Sequence, residues 1–388
     1  MKFTKRIADL KPEGAYQVLA RAQELEASGR DIIHLEIGQP DIDTFEHISS
    51  AGMEAISSGA TRYTPPAGLR DLREVIAQDA GVRRGVDFSA LQVVISPGAK
   101  PSLLLSTLAL VQTGDEVLYP DPGFPTYPAM IRLAGGIPIP VPLIEQRNFA
   151  LDFDALSKLI TGRTKMVIVN SPSNPTGGIL PHKNLRELSR MALEHDLWVL
   201  SDEIYSRMVY EGFQHESIIA LPGMQERTIL VDGFSKTYAM TGWRLGYGIV
   251  PVELADRLSL LMTHAFGCTA HFTQIAGIQA ISGPQTHVDE MVMRYQHRRD
   301  LIVDGLNRIP GVSCQLPAGA FYAFPNISAT GLKSDVLANL LLNDAGVAVL
   351  PGTAFGKLGE GFLRVSYANS SEKLREALKR MQHLFENL

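Results

Sequence analysis

The sequence predicts an α/β fold, a large domain with a mainly parallel central sheet flanked by helices, joined to a smaller α+β domain. Three observations carry this. Short continuous apolar runs, LQVVIS, EVLYP, KMVIVN, LWVLSDE, TILVDGF and WRLGYGIV, recur through the middle of the chain. Helical stretches such as GLRDLREVIAQ and KPSLLLSTLALV alternate with them. Unbroken apolar runs of this length are what parallel strands buried on both faces look like, because helices cover each face of the sheet.

Taken in order, residues 12–28 read as an amphipathic helix with proline near its first turn and Gly29 as a stop, followed by the extended run DIIHLEIG. The α/β pattern then occupies residues 45–283, the large domain. After Gly283 a long polar helix, THVDEMVMRYQHRRDLIVDGLNRI, leads into short strands and further helices. Residues 1–44 and 284–388 are expected to form the small domain from both termini.

Composition narrows the function. With 388 residues, 45% hydrophobic and 20% charged, the chain is long enough for two domains with a sizeable core. A formal charge of −5 gives no general attraction to nucleic acid or anionic lipid, so small molecules are the expected partners. Cys268 and Cys314 are the two cysteines, too few for a disulfide framework and not spaced for a metal. The charged opening lacks an apolar h-region, and no run approaches the roughly 18 apolar residues of a membrane span. A cytoplasmic protein without a metal is expected.

Several motifs carry chemistry. In SKTYAMTGWRLGY, Lys236 follows an apolar strand. Desolvation there lowers a lysine's pKa, and a neutral amine forms imines and moves protons, although an isolated lysine in a loop ordinarily snorkels to solvent. LWVLSDEIY sets Asp202, Glu203 and Tyr205 where a strand runs out, at the carboxyl edge where open α/β sheets bind ligands. A carboxylate at about 4 Å and an effective dielectric of about 20 is worth roughly 4 kcal/mol, about three pK units, enough to keep a pyridine nitrogen cationic. On its own the same carboxylate reads more simply as a helix N-cap or a solvated strand end.

In ISPGAKPSLLLSTL a strand turns through Gly98 into a helix, so the amides of Gly98, Ala99 and Lys100 point at an anion with the helix dipole behind them. Arg244 and the Ser235 hydroxyl suit the same phosphate; a structural salt bridge is the other reading of Arg244. Asn174 lies in the tight turn NSPSNPTGG, where an asparagine either bonds its own backbone or reaches a ligand. Phe124 in DPGFPTYP serves as core or as a platform for an aromatic ring. No GxGxxG follows a strand, so a nicotinamide enzyme is not expected.

As a set, LEIGQPD, RYTPPAGLRDLRE, SPGAK, DPGFPTYP, NPTG, SDEIY, SKTYAMTGWRLGY, GAFYAFPN, LPGTAFG and FLRVSYA resemble the class I/II aminotransferases, pyridoxal-phosphate enzymes of fold type I of the aspartate aminotransferase kind. The resemblance runs nearly end to end. It implies that Lys236 holds pyridoxal 5'-phosphate as a Schiff base and shuttles the proton between substrate Cα and cofactor C4′. It assigns Asp202 to the pyridinium nitrogen, Tyr205 and Asn174 to the ring oxygen and Phe124 to the ring face. Gly98, Ala99, Lys100, Ser235 and Arg244 become the phosphate cup. Arg364, with the backbone near Gly38, would grip the substrate α-carboxylate. Tyr63 matches a position reaching the neighbouring subunit's phosphate, which implies a homodimer with shared active sites. An amino acid and a 2-oxo acid are the implied substrates. β-Elimination, decarboxylation, oxidation or cyclisation on the same cofactor is the alternative.

The match has departures. Ala99 replaces a glycine common in the phosphate turn, a mild change because the amide remains. Lys100 stands where many relatives have a small polar residue and some aspartate-type members have lysine, which points to a preference for acidic substrates or, more plainly, to phosphate support. MTHAFGCTAHF, residues 262–272, replaces a Ser/Thr/Asn-rich segment that edges the partner's pocket in relatives, and reads either as an altered substrate contact or as a repacked helix junction.

Overall fold

The structure is a computed structural model that describes residues 4, 10 and 12–387. The rest of the opening segment, on which part of the expectation of no leader rests, lies outside the described residues. Helix α1 (Gly14–Ala27) starts later than the sequence pattern placed it, because Glu13 takes an extended backbone (φ −67°, ψ 128°) and leaves Pro12 outside the helix. Within the extended run after it, Ile33–His34 form strand β1, and the Leu35 amide continues the bonding to the Ala348 carbonyl at 2.9 Å. Helices α2 (Glu46–Ser57) and α3 (Arg70–Arg84) follow, the latter stopped by Gly85 in the left-handed region.

The central sheet contains β2 (Val93–Ser96), β3 (Glu116–Asp121), β4 (Ile137–Ile144), β5 (Ala150–Leu151), β6 (Thr164–Asn170), β7 (Trp198–Asp202), β8 (Thr228–Gly233) and β9 (Gly246–Ile249). Their order is β2-β9-β8-β7-β6-β3-β4-β5. Strands β8, β7, β6, β3 and β4 pair in parallel. Between and after them run α4 (Ala99–Leu110), α5 (Thr126–Leu133), α6 (Phe153–Leu159), α7 (His182–Glu194), α8 (Phe234–Thr237), α9 (Val252–Ala265) and α10 (His271–Ser282). Helix cover on both faces explains why β2, β3 and β8 are buried along their whole length.

Two strands depart from the expected reading. WRLGYGIV was read among the parallel runs, yet β9 is antiparallel to both β2 and β8. The connection from β8 holds just the four-residue α8, too short to carry the chain back to the opposite edge of the sheet. Strand β4, IPIPVPLI, escaped the pattern because proline occupies positions 138, 140 and 142. The Ile137 amide donates toward β3, to Asp115 at 2.7 Å, so alternation turns the prolines, which have no N–H, away from β3. On that side β4 pairs with the two-residue β5.

The C-terminal part contains α11 (Thr286–Leu306), β10 (Tyr322–Ala323), α12 (Ser334–Asn343), β11 (Val347–Ala348), β12 (Leu350–Pro351), β13 (Leu363–Ser366) and α13 (Ser371–Phe385). Strands β10, β13 and β12 form an antiparallel sheet. The chain's two ends meet where β1 pairs in parallel with β11, Ile33 opposite Val347. Since β2, β3, β6, β7 and β8 point the same way, the segments leaving Ser96, Asp121, Asn170, Asp202 and Gly233 all emerge at one edge of the sheet.

Candidate active site

That shared carboxyl edge gathers most of the residues singled out in the sequence. Gly98 sits between β2 and α4 at φ 90°, where a Cβ would lie 2.1 Å from Arg244 Nη2. No side chain among the described residues caps α4, so the amides of its first turn, starting with Ala99 and Lys100, are presented to the cleft. Arg244 approaches from the turn before β9, in the left-handed region at φ 55°. Its Nη1 donates to the Thr241 carbonyl at 2.8 Å. Strand β9 lies close beneath this turn: a Cβ on Gly246 would be 2.5 Å from the Ala99 nitrogen.

Ser235, which is buried, and Lys236 sit on α8, directly after β8. Lys236 Nζ donates to the Gly38 carbonyl and lies 5.9 Å from the Tyr205 ring centre and 5.7 Å from that of Phe321. Burial, with the charges of Arg364, Arg244 and Lys100 behind it, pulls the amine down to about 7, against a smaller upward pull from Asp202.

Asp202 ends β7 and is buried. Tyr127 donates to its Oδ2 at 2.7 Å and the Ile204 amide to its Oδ1 at 3.3 Å. Burial pushes the carboxyl up to about 6 despite these bonds, with Asp232 and Glu203 adding to the rise. The ends of β6 and β7 are tied together by Asn170, whose Nδ2 donates to the Asp202 carbonyl at 2.9 Å and whose Oδ1 accepts the Asn174 amide at 2.8 Å. Tyr205 shares a hydrogen bond of 2.7 Å with Tyr322 from β10.

Arg364 comes from β13 and is buried. Its Nη1 donates to Asn174 Oδ1 at 3.1 Å, its Nη2 donates to the Glu36 carbonyl, and its Nε has no partner among the described residues. The guanidinium lies 4.5 Å from the Tyr322 ring centre and 4.8 Å from that of Phe355. Gly38 faces the same space, since a Cβ there would lie 2.1 Å from the Tyr322 hydroxyl.

Phe124 stands edge-on to Tyr127 at 5.7 Å, and Lys100 Nζ lies 5.2 Å from its ring centre while pairing with Glu13. Tyr63 is not part of this cluster and is 95% exposed between α2 and α3. Residues 262–272 form the junction between α9 and α10, where Cys268 Sγ accepts the Thr64 amide at 3.5 Å, next to Tyr63.

Some polar residues of the site were not found in the sequence. Tyr127 and Tyr322 lie inside the motifs DPGFPTYP and GAFYAFPN, where each reads as ordinary core. Beside Asp202 lies a buried ionic cluster. Arg84 Nε donates to Glu203 at 2.8 Å and its Nη2 to Asp232 at 3.0 Å, while His215 lies 2.9 Å from Glu203. Burial opposes the Glu203 charge, but Arg84, His215 and Ser217 outweigh it and hold the group well below the carboxylate range.

A sheet of this strand order, with a lysine carried to its carboxyl edge by the strand before it, defines a fold type I transferase. The family model for aminotransferase class I and II matches residues 30–381, and the chain belongs to that family. It is 42% identical over 362 residues to an aspartate aminotransferase of Pyrococcus abyssi, covering 92% of this chain and 93% of that one. It is 40% identical to aromatic-amino-acid aminotransferase 2 of Thermococcus litoralis, covering 98% of each. The solved aspartate aminotransferase of Thermus thermophilus with maleate superposes with a TM-score of 0.95 at 36% identity, over 99% of this chain and 100% of that one. The family is pyridoxal-phosphate-dependent, and the chain is an aminotransferase.

Proposed function

We propose that Lys236 carries pyridoxal 5'-phosphate and that the enzyme moves the amino group of acidic and aromatic L-amino acids to a 2-oxo acid. The observation that carries this reading is the Lys236 amine, held near 7 at the carboxyl edge of the sheet. A half-buried lysine poised at that value is divided about evenly between nucleophile and acid at neutral pH.

The donor set fits the cofactor. The uncapped start of α4, the missing Cβ of Gly98, Ser235 and Arg244 suit a phosphate, with Lys100 near it. Asp202 is a carboxylate whose pKa is raised chiefly by burial, and a pyridinium nitrogen beside it would favour its charged form. Tyr205 and Asn174 suit the ring oxygen, and Phe124 suits the ring face. When bound, the cofactor supplies a cationic ring that draws in the electron pair of a breaking Cα–H bond.

The chain's own groups do the rest. Arg364, fixed by Asn174 and Glu36 and bare at Nε, clamps the α-carboxylate beside Gly38 and so orients the substrate. Lys236 would take the Cα proton and deliver it to the cofactor carbon C4′, on the other side of the amino nitrogen, a task for an amine with pKa near the working pH. Tyr127 holds the Asp202 carboxylate in place. Lys100 meets the side-chain carboxylate of an acidic substrate. The homodimer is part of the proposal, since it gives the exposed Tyr63 a phosphate to reach on a second copy. So is a cytoplasmic location, consistent with two free thiols; no helix among the described residues is long and apolar enough to cross a membrane.

The test is to incubate the purified holoenzyme with aspartate, phenylalanine or alanine and 2-oxoglutarate. Glutamate and the matching oxo acid should appear in equal amounts, fastest with the first two donors. Product without glutamate, or no turnover with any donor, would overturn the reading.

A further inference from the structure

Glu13 lies at the start of α1, far from the catalytic lysine in sequence, yet its carboxylate reaches into the site. Its Oε1 pairs with Lys100 Nζ and accepts the Thr126 hydroxyl at 3.3 Å. The same carboxylate is close enough to act on the charge of Arg364. Both cations that the proposed function reserves for substrate carboxylates thus feel a carboxylate that the protein itself provides.

The segment bearing Glu13 is held at the mouth of the site. A Cβ on Gly14 would stand 3.0 Å from Ala354 Cβ, and Ala15 packs in the apolar cluster containing Phe355, the ring against Arg364. The ion pair itself is wet: the Lys100 and Glu13 side chains are 45% and 27% exposed. A dry pair would lock the pocket, since breaking it strands a buried charge. A wet pair exchanges one carboxylate for another at little cost.

We propose that Glu13 is a specificity-determining residue, an internal carboxylate that holds the Lys100 subsite until a substrate with an acidic side chain displaces it. Substrates with uncharged side chains leave the pair intact and never face a bare ammonium. Acidic substrates take over Lys100 and release Glu13 toward solvent. One pocket then serves both classes. The inference rests on the role given to Lys100 above.

A partly exposed pair contributes a factor of about two to five to an equilibrium, which sets the expected effect. The comparison uses the holoenzyme and its Glu13→Gln, Lys100→Ala and doubly substituted forms. Two quantities are read: kcat/KM for aspartate against phenylalanine, and the calorimetric Kd of maleate, an unreactive dicarboxylate. Glu13→Gln should raise the aspartate-to-phenylalanine ratio about two- to fivefold, mainly through KM, and tighten maleate by the same factor. With Lys100 replaced, the substitution should change neither. Equal effects on both substrates, weaker maleate binding, or an effect that persists without Lys100 would each overturn the inference. Wild-type enzyme that binds maleate but turns over no amino acid would instead count against the proposed function.

Discussion

Replacing Arg364 with leucine separates binding of the α-carboxylate from everything else the site does. The guanidinium is buried, lies against the Tyr322 and Phe355 rings and is anchored at Nη1 by Asn174, while Nε has no partner among the described residues. Each charge-assisted hydrogen bond to a carboxylate is worth about 1.5–3 kcal/mol, so losing a forked pair removes about 3–6 kcal/mol, or a factor on the order of 10² to 10⁴ in kcat/KM. Arg364→Lys keeps the charge but not the fork, and should lose roughly half that free energy. The assay is the single-turnover half-reaction followed by cofactor absorbance, using an L-amino acid and the primary amine of the same skeleton lacking the carboxylate. The amino acid should slow by the stated factor while the amine changes by less than about threefold, within the ordinary spread of indirect effects. Parallel losses with both would refute the reasoning, because Arg364 would then be supporting the fold rather than gripping substrate.

Two further outcomes concern the scaffold. Arg84→Met strands the buried carboxylates of Glu203 and Asp232 and should cost about 3–5 kcal/mol in urea unfolding; a loss under about 1 kcal/mol would show that the cluster relaxes freely. Burial alone would lower the His34 pKa, but Glu36 at 2.7 Å and Glu26 at 3.0 Å outweigh it and raise the group above its ordinary 6.5. Folding therefore favours the protonated ring, a contribution fully present below about 6.5 and lost as pH rises through the higher folded-state value. The stability gap between wild type and His34→Asn should be wider near about pH 5.5 than near about pH 8.5; a gap that grows with pH would contradict this.

The legible parts of the chain were those where one residue's neighbours in sequence are also its neighbours in space. The run VVIS is apolar at every position but its last because β2 is covered on both faces, and Gly98 is readable because a strand-to-helix turn at φ 90° with an arginine against it demands glycine. Strand β4 was illegible for a local reason: proline at alternate positions looks like a strand breaker unless the side left without N–H donors is known. Tyr127 was illegible for a non-local one, since its partner Asp202 is 75 positions away and a tyrosine in an apolar turn reads as core. The pair between Glu13 and Lys100 spans 87 positions, and Arg84 looks like any basic residue in a helix's last turn, although it is buried against two carboxylates. Separation of that kind leaves no trace in composition or periodicity.

The central claim, that Lys236 is the amine holding the cofactor, is tested most directly by reducing the holoenzyme with borohydride and mapping the modified peptide by mass spectrometry. A pyridoxyl group should be found on the peptide containing Ser235, Lys236 and Thr237, and the Lys236→Ala enzyme should yield no labelled lysine and lack the visible absorbance band. A label on any other lysine, or a band that survives the substitution, would contradict the account.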